Sequence, residues 1–573
     1  MAGLSARNLL LHAAVLITGL RPSQARLQDG RAHGNMMPHP QVPKVPMENA
    51  GPVVSRNGTE LPPYDTVYYF DQLIDHNNPE LGTFQQRYWH TYEFYEEGES
   101  CGPIILSTPG EGNADGYDGY LTNRTINGLI AQQQNGSTIV LEHRFYGYSN
   151  PYPDLTVNSL KVHNIQQAID DLVYFAENVK LPMPNGDQAG PDNAPWILVG
   201  GSYSGALTSW TLVDTGDVFW AGYASSAVVE AILDFWAYFE PIRENMPKNC
   251  SADVQAVISY VDEVFTGTNE TAIEGVKDAF GLGAITHLDD AAGALRNNLW
   301  DWQSLQITSG PNAQFYQFCD ALEVDASGTL APEEGFGLEH AFAAWSSYFK
   351  NSYLPRLCGD TDAETCLGTY DPTQTYYTDT SIAYRSWYWI VCNEVGFLQD
   401  GAPEGHPSLV TRLVHPEYDL RQCQYMFPEA FPEPPVTQIN RTNTEYKGWD
   451  VREQRLFFAN GHKDPWREAT MSASGLNVAS TAEQPIMISD GIHCSDLGAS
   501  SGRADPTVNA VQQGALKSMA TWLAEWKKPA ERKRSTGEKR VGPARRADSS
   551  SAASDDAKSA RPVNAWFKDV GSF

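Results

Sequence analysis

The amino-acid sequence predicts an α/β fold: a largely parallel sheet with crossover helices, interrupted by an inserted, mostly helical domain. Three observations carry this expectation. Short apolar runs alternate with helical periodicity at both ends of the chain body. The alternation breaks between roughly 230 and 440. The loops that close the apolar runs carry a serine, an aspartate and a histidine, in that order.

The first run, 104–108, reads Ile-Ile-Leu-Ser-Thr and stops at Pro109-Gly110. The second, 138–141, is Thr-Ile-Val-Leu, rich in the β-branched residues that suit strands. A helical pattern follows, with Ile165, Ile169, Leu172, Phe175 and Val179 on one face. The run 196–199, Trp-Ile-Leu-Val, predicts a third buried strand. Strand, helix, strand in this order argues for parallel pairing through crossovers. Two more strands are expected at 455–459 and 485–488, and a closing helix over 511–526. The middle, by contrast, holds helical patterns at 252–265 and 338–349, many aromatics, and six of the eight cysteines, Cys250, Cys319, Cys358, Cys366, Cys392 and Cys423. It reads as an inserted domain.

Composition narrows the class. Of 573 residues, 41% are hydrophobic and 19% charged, an ordinary globular balance. The net charge is −30, and because the basic tail from Lys527 on carries +6, the rest of the chain carries −36. So acidic a body repels nucleic acid. No apolar run reaches the roughly 20 residues of a membrane span. Arg7 followed by the apolar stretch 9–17 and by Ser23-Gln24-Ala25 reads as a secretory signal peptide. Six Asn-x-Ser/Thr sequons, at Asn57, Asn123, Asn135, Asn249, Asn269 and Asn440, fit export and are glycosylation candidates. The even number of cysteines fits disulfide pairing, with Cys358 and Cys366 placed to close a small loop. No Cys-x-x-Cys occurs, so a zinc or redox site is not expected, and neither a metal nor a cofactor is assigned.

The expected organisation is a signal peptide over 1–25, a propeptide or disordered leader over 26–60, one α/β domain over 61–229 and 441–526, a helical cap over 230–440, and a disordered tail over 527–573. The leader assignment rests on a Pro, Gly, Asn and His-rich composition without periodicity.

The chemistry is concentrated after the third strand, in Gly200-Gly201-Ser202-Tyr203-Ser204-Gly205. A nucleophile elbow needs a serine on a sharp strand-to-helix turn with small neighbours on either side. Gly200 and Ser202 fit Gly-x-Ser-x-Gly, while Ser204 stands where the last glycine is usual. A hydrolytic serine needs a histidine base, and the histidine a carboxylate to fix its tautomer. In α/β-hydrolases these follow in the order Ser, Asp/Glu, His, each at a strand end. Asp464 and His493 meet both conditions. His143 precedes Ser202 and reads as structural; His462 lies too close to Asp464 to leave a later acid; Glu468, Asp490 and Asp496 are rival carboxylates on less suitable positions. The oxyanion donors are expected from the N–H of Tyr203 and from the loop Pro109-Gly110-Glu111, with Gly110 as the second donor.

With these residues in view, the chain resembles the serine peptidase family that contains lysosomal Pro-Xaa carboxypeptidase, dipeptidyl peptidase II and the fungal prolyl endopeptidases. The stretches that carry the resemblance are 70–76 (Phe-Asp-Gln-Leu-Ile-Asp-His), 83–89, 142–147 (Glu-His-Arg-Phe-Tyr-Gly), the Ser202 elbow, 389–394 (Trp-Ile-Val-Cys-Asn-Glu), 460–466 and 491–493. The resemblance implies an α/β-hydrolase fold with a helical cap, a Ser202–Asp464–His493 triad, and cleavage after proline at acidic pH. Trp466 resembles a pocket residue of that family, since a pyrrolidine ring stacks well on an aromatic face. Trp389, Glu394 and Glu111 are further substrate-binding candidates, and Trp387 a weaker one. Ser204 and Ala206 are nearest the fungal branch. The mammalian exopeptidases carry Gly and Met there, so endo- versus exopeptidase action stays open. The implied partners are proline-containing peptides or unfolded chains, and the implied location is extracellular or vacuolar. An esterase on the same fold and an inactive glycosylated binding protein are the competing readings.

Overall fold

A computed structural model describes residues 30–40, 42–47, 51–96 and 102–528. The expected signal peptide and nearly all of the expected tail lie outside the described residues. At the centre is an eight-stranded sheet made of β1 (Tyr68–Leu73), β2 (Thr83–Thr91), β3 (Ile104–Ser107), β4 (Ser137–Leu141), β5 (Trp196–Gly201), β6 (Ala221–Ser225), β9 (Leu456–Gly461) and β10 (Ile486–Ser489). Its order is β1-β2-β4-β3-β5-β6-β9-β10. The β1–β2 and β2–β4 pairings are antiparallel, and every pairing from β4 to β10 is parallel. The chain therefore has the α/β-hydrolase fold.

Parallel strands need both faces covered, and their sequences show it. β3, β4, β5, β6 and β9 are buried at every position. Helices Ile126–Gln134 and Pro506–Ala524 cover one face through a compact cluster including Ile130, Val140, Phe457 and Met519. Helices Ile165–Asn178 and Tyr203–Thr215 cover the other, and there the apolar core runs without a break from Ile169 and Trp210 into Phe235, Trp345 and Trp387 of the insertion. The insertion is mostly helical, but a two-stranded parallel sheet of β7 (Ile232–Asp234) and β8 (Gly396–Leu398) braces its base. Among the described residues three disulfides, Cys250–Cys319, Cys358–Cys366 and Cys392–Cys423, occur, and all lie within it. Cys494 is a buried free thiol. Among the described residues no helix is long and apolar enough to cross a membrane.

Two expectations are corrected. Residues 30–47 are not a disordered leader where they are described: Met36 and Met37 belong to the main core, Val42 to the second cluster, and the polar groups of Arg31 and Asn35 are bonded inside the cap. An extended proline-rich stretch has no periodicity to reveal, because its partners are supplied across the molecule. Of the six sequons, Asn57, Asn123, Asn269 and Asn440 are exposed and Asn135 half-buried, but Asn249 is buried, with its side chain facing Ala331 O and Cys250 N. A glycan has no room there.

Candidate active site

The sheet is built so that one edge gathers the candidate residues. β5 runs into Ser202, whose backbone turns to φ 57°, ψ −128° before the helix Tyr203–Thr215 begins. A non-glycine residue with positive φ costs of order 1–3 kcal/mol and persists only where the surroundings hold it. The holding is visible. A Cβ on Gly200 would lie 2.0 Å from Ser204 O, and one on Gly205 2.7 Å from Ser225 O, so strand and helix close on each other only through glycine. The departure at Ser204 is accounted for in the same way. A Cβ on Gly110 would lie 2.5 Å from Ser204 Oγ. The hydroxymethyl group at 204 occupies room that Gly110, at φ 79°, leaves open.

Asp464 and His493 sit in the loops after β9 and β10, two parallel neighbours paired as far as Gly461 and Ser489. The loops are tied by His462 N to Ser489 O at 2.7 Å and Lys463 N to Gly491 O at 3.0 Å. His493 Nδ1 is 2.9 Å from Asp464 Oδ1 and 3.1 Å from Oδ2, and both side chains are buried. The other oxygen contact of Asp464 is the N–H of Trp466, which donates to Oδ1 at 2.9 Å. Cys494 N donates to Ser226 Oγ at 2.9 Å, fastening the histidine loop to the end of β6 beside the elbow. Burial alone would lower the His493 pKa, but the Asp464 carboxylate and the neighbouring Cys494 sulfur together outweigh it and hold the imidazole well above its usual value. Ser202 Oγ is buried and makes no hydrogen bond among the described residues. His493 Nε2, the nitrogen that would face it, lies 3.4 Å from the carbonyl oxygen of Pro40.

The rival residues are occupied elsewhere. His143 Nε2 is 3.2 Å from the Tyr203 hydroxyl, and burial lowers its pKa to about 4. Asp496 accepts from Tyr223 and Ser225, Glu468 pairs with Arg467, and Asp490 is exposed.

Of the expected oxyanion donors, Tyr203 opens its helix, where backbone N–H groups lack intrahelical partners. Gly110 N donates to Thr108 Oγ1 at 3.3 Å, a long bond that competes with that role. The loop itself is held by the 142–147 motif. Glu142 accepts from Ala114 N and from both ends of the Arg87 guanidinium, which also reaches Asn113 and Asp115. Glu111 is buried in this loop, its Oε1 without a hydrogen bond among the described residues; burial pushes its pKa up to about 8, against the pull of His493.

The substrate-binding candidates divide. Trp466 stands at the site: its ring centroid is 6.3 Å from that of His493, and it packs against Phe235, Tyr238 and Phe397. Its Nε1 donates to Gln303 Oε1 at 2.7 Å. Trp389 and Glu394 are not at the site. Trp389 donates to His163 O and stacks among Phe427 and Phe431, while Glu394 accepts from Ile165 N and Arg441. Instead Trp387, two residues earlier on the same helix, lies 5.6 Å from the ring of Tyr203. Sequence reasoning missed Phe235, Tyr238, Gln303 and Phe397, which no local motif distinguishes from core residues.

Residues 72–514 match the family described as serine carboxypeptidase S28. The chain is 35% identical to a serine protease, vicPa, of Bipolaris victoriae over 480 residues, 80% of this chain and 88% of that one. It is 32% identical to a probable extracellular serine carboxypeptidase of Arthroderma benhamiae, covering 72% of this chain and 59% of that one. It is 25% identical to the human thymus-specific serine protease, covering 80% and 86%.

Proposed function

The chain belongs to the serine carboxypeptidase S28 family, and from that premise we propose that it hydrolyses peptide bonds on the C-terminal side of proline, with Ser202 as nucleophile, His493 as base and Asp464 as the group that orients it. The observation that carries this reading is the buried Asp464–His493 pair, at 2.9 Å, on the same sheet edge as the strained Ser202 turn. Ser202 Oγ attacks the substrate carbonyl while His493 Nε2 accepts its proton. The oxyanion is held by the N–H of Tyr203 and a donor of the 109–113 loop, where the helix N-terminus favours negative charge. His493 then protonates the leaving amine, and water repeats the sequence on the acyl-enzyme.

Proline selectivity is supported by the aromatic walls around Trp466. An apolar pocket of this kind separates small apolar side chains by only about 1–3 kcal/mol but rejects charged ones strongly. We expect proline first, alanine second, and no cleavage after Lys or Asp. An acidic optimum, expected from the resemblance, runs against the electrostatics of His493. The base must be neutral, and Asp464 favours its charged form. We therefore expect activity to rise from pH 5 to pH 8. Secretion is supported by the sequence of the first 25 residues and the exposed sequons.

The test is cleavage-site mapping by mass spectrometry on an unfolded proline-containing polypeptide, with a nitrophenyl ester assayed alongside. Cuts concentrated after proline are expected. Ester turnover without peptide cleavage, or cuts after lysine, would overturn the assignment.

A further inference from the structure

The groove between cap and sheet already holds a peptide, and it is part of this chain. Residues 36–40 and 42–46 run across the candidate site. His493 Nε2 faces Pro40 O at 3.4 Å, and Val42 rests on the elbow, its Cγ1 2.6 Å from where a Cβ on Gly201 would stand. Ser202 and His493 are 0% and 2% exposed, so a substrate carbonyl has no approach to either while the segment is seated.

The segment is held through its main chain. Its main-chain carbonyls accept hydrogen bonds from side chains lining the groove: Tyr384 to Met37 O at 2.8 Å, Gln303 to His39 O at 3.2 Å, Tyr117 to Val42 O at 2.9 Å and Tyr120 to Pro43 O at 2.7 Å. Main-chain bonds of this kind bind extended peptides with little dependence on sequence. The donors to carbonyls before Pro40 come from the cap and those to Val42 and Pro43 from the sheet domain, so the segment bridges both. Prolines at 38, 40, 43 and 46 keep the stretch extended and lower the entropy lost on holding it. An anchor upstream fixes the register. Asn35 donates to Asp290 O and Leu367 O, Arg31 to Asn297, Arg296 donates to Asn35 O, and His33 stacks on Tyr376 at 4.1 Å.

The register is unproductive. The Pro40 carbonyl lies against His493 Nε2, and Ser202 Oγ has no hydrogen bond to the base that would activate it. We propose that the segment described as residues 30–40 and 42–47 is an intramolecular inhibitor that fills the peptide-binding groove of the unprocessed chain, and that the enzyme is latent until the segment leaves. This rests on the peptidase reading above only for the identity of the substrate.

The test separates the two. A site for a specific protease is inserted between Met47 and Gly51 of the full chain, and the cut fragment is removed by size exclusion. Labelling of Ser202 by a fluorophosphonate reads access to the nucleophile, independently of which substrate the enzyme takes. We expect labelling at least about tenfold faster after release, since reactivity scales with the fraction of accessible sites. A synthetic peptide of residues 30–47 should restore slow labelling and act as a competitive inhibitor, raising KM without changing kcat. If the released enzyme unfolds, the uncut double variant Tyr117→Phe, Tyr120→Phe, which lacks two carbonyl donors, should label faster than the parent. Equal labelling of intact and released chains, or of parent and double variant, would overturn the inhibitor assignment and leave the peptidase reading standing. Fast labelling of a released enzyme that cleaves no proline-containing peptide would do the reverse.

Discussion

The sheet edge and the cap hold the same site by different means. At the edge, position is set by backbone: Ser202, Asp464 and His493 each follow a fully or partly buried strand, and strand register alone brings their loops together. In the cap, position is set by side chains from widely separated segments. Gln303 reaches Trp466 and Tyr238, Trp302 donates to Lys463 O next to Asp464, and Trp387 packs on Tyr203. The difference teaches that chemistry in this molecule is rooted in local turns, while access and selectivity depend on long-range packing. Changes at the edge should therefore move kcat, and changes in the cap should move KM and stability.

The largest effect should come from the edge. Ser202→Ala removes the proposed nucleophile without adding volume, and triad members act as a unit. We expect kcat to fall by about 10⁴–10⁶-fold with unchanged thermal unfolding. Activity retained by Ser202→Ala but lost in Ser204→Ala would move the elbow by two residues.

The second effect is electrostatic. Because Asp464 raises the His493 pKa, the charged form is favoured in the fold and the neutral base is lost as pH falls. Below the raised pKa, kcat/KM should drop about tenfold per pH unit, roughly 10³-fold between pH 8 and pH 5 if the whole range lies on that limb. Stability runs the other way. A histidine with a raised folded pKa contributes stability fully below its unfolded pKa of about 6.5 and loses it as pH rises through the folded value. Activity and resistance to denaturant measured across pH 5–9 should thus diverge. An activity maximum at pH 4–5 would show that some other group controls the base.

What was legible in the sequence follows the same division. The strands, the elbow and the order Ser202, Asp464, His493 were legible because strand and helix periodicity are local and the loops directly follow the apolar runs. Trp389 was a worse choice than Trp387 for a reason a linear reading hides. Two residues on a helix are about 200° apart, so one faces Tyr203 and the other Phe427. Glu394 carried a motif signal but spends its oxygens on Ile165 N and Arg441. The complementarity of Gly110 and Ser204 and the seating of residues 30–40 and 42–47 depend on contacts more than 70 residues apart in sequence, which no local pattern encodes.

The smallest effects on turnover should come from the disulfides, and their pattern tests whether the cap is a separate unit. In the chain-entropy picture a cross-link stabilises more when the loop it closes is longer. Cys250–Cys319 closes a separation of 69, Cys392–Cys423 of 31 and Cys358–Cys366 of 8. Replacing each pair by serine should cost about 4, a little under 4 and about 2.5 kcal/mol respectively. The apolar core runs unbroken from Trp210 on the elbow helix to Phe235 and Trp345 in the cap. Loss of a cap disulfide should therefore shift one cooperative denaturant transition, followed by both near-UV signal and activity, rather than release the cap alone. Two separate transitions in the Cys250→Ser, Cys319→Ser variant, with the sheet melting at its original midpoint, would mean that the cap folds independently of the edge it covers. In that case KM effects from cap variants would arise from its detachment rather than from the packing of Trp387 and Gln303.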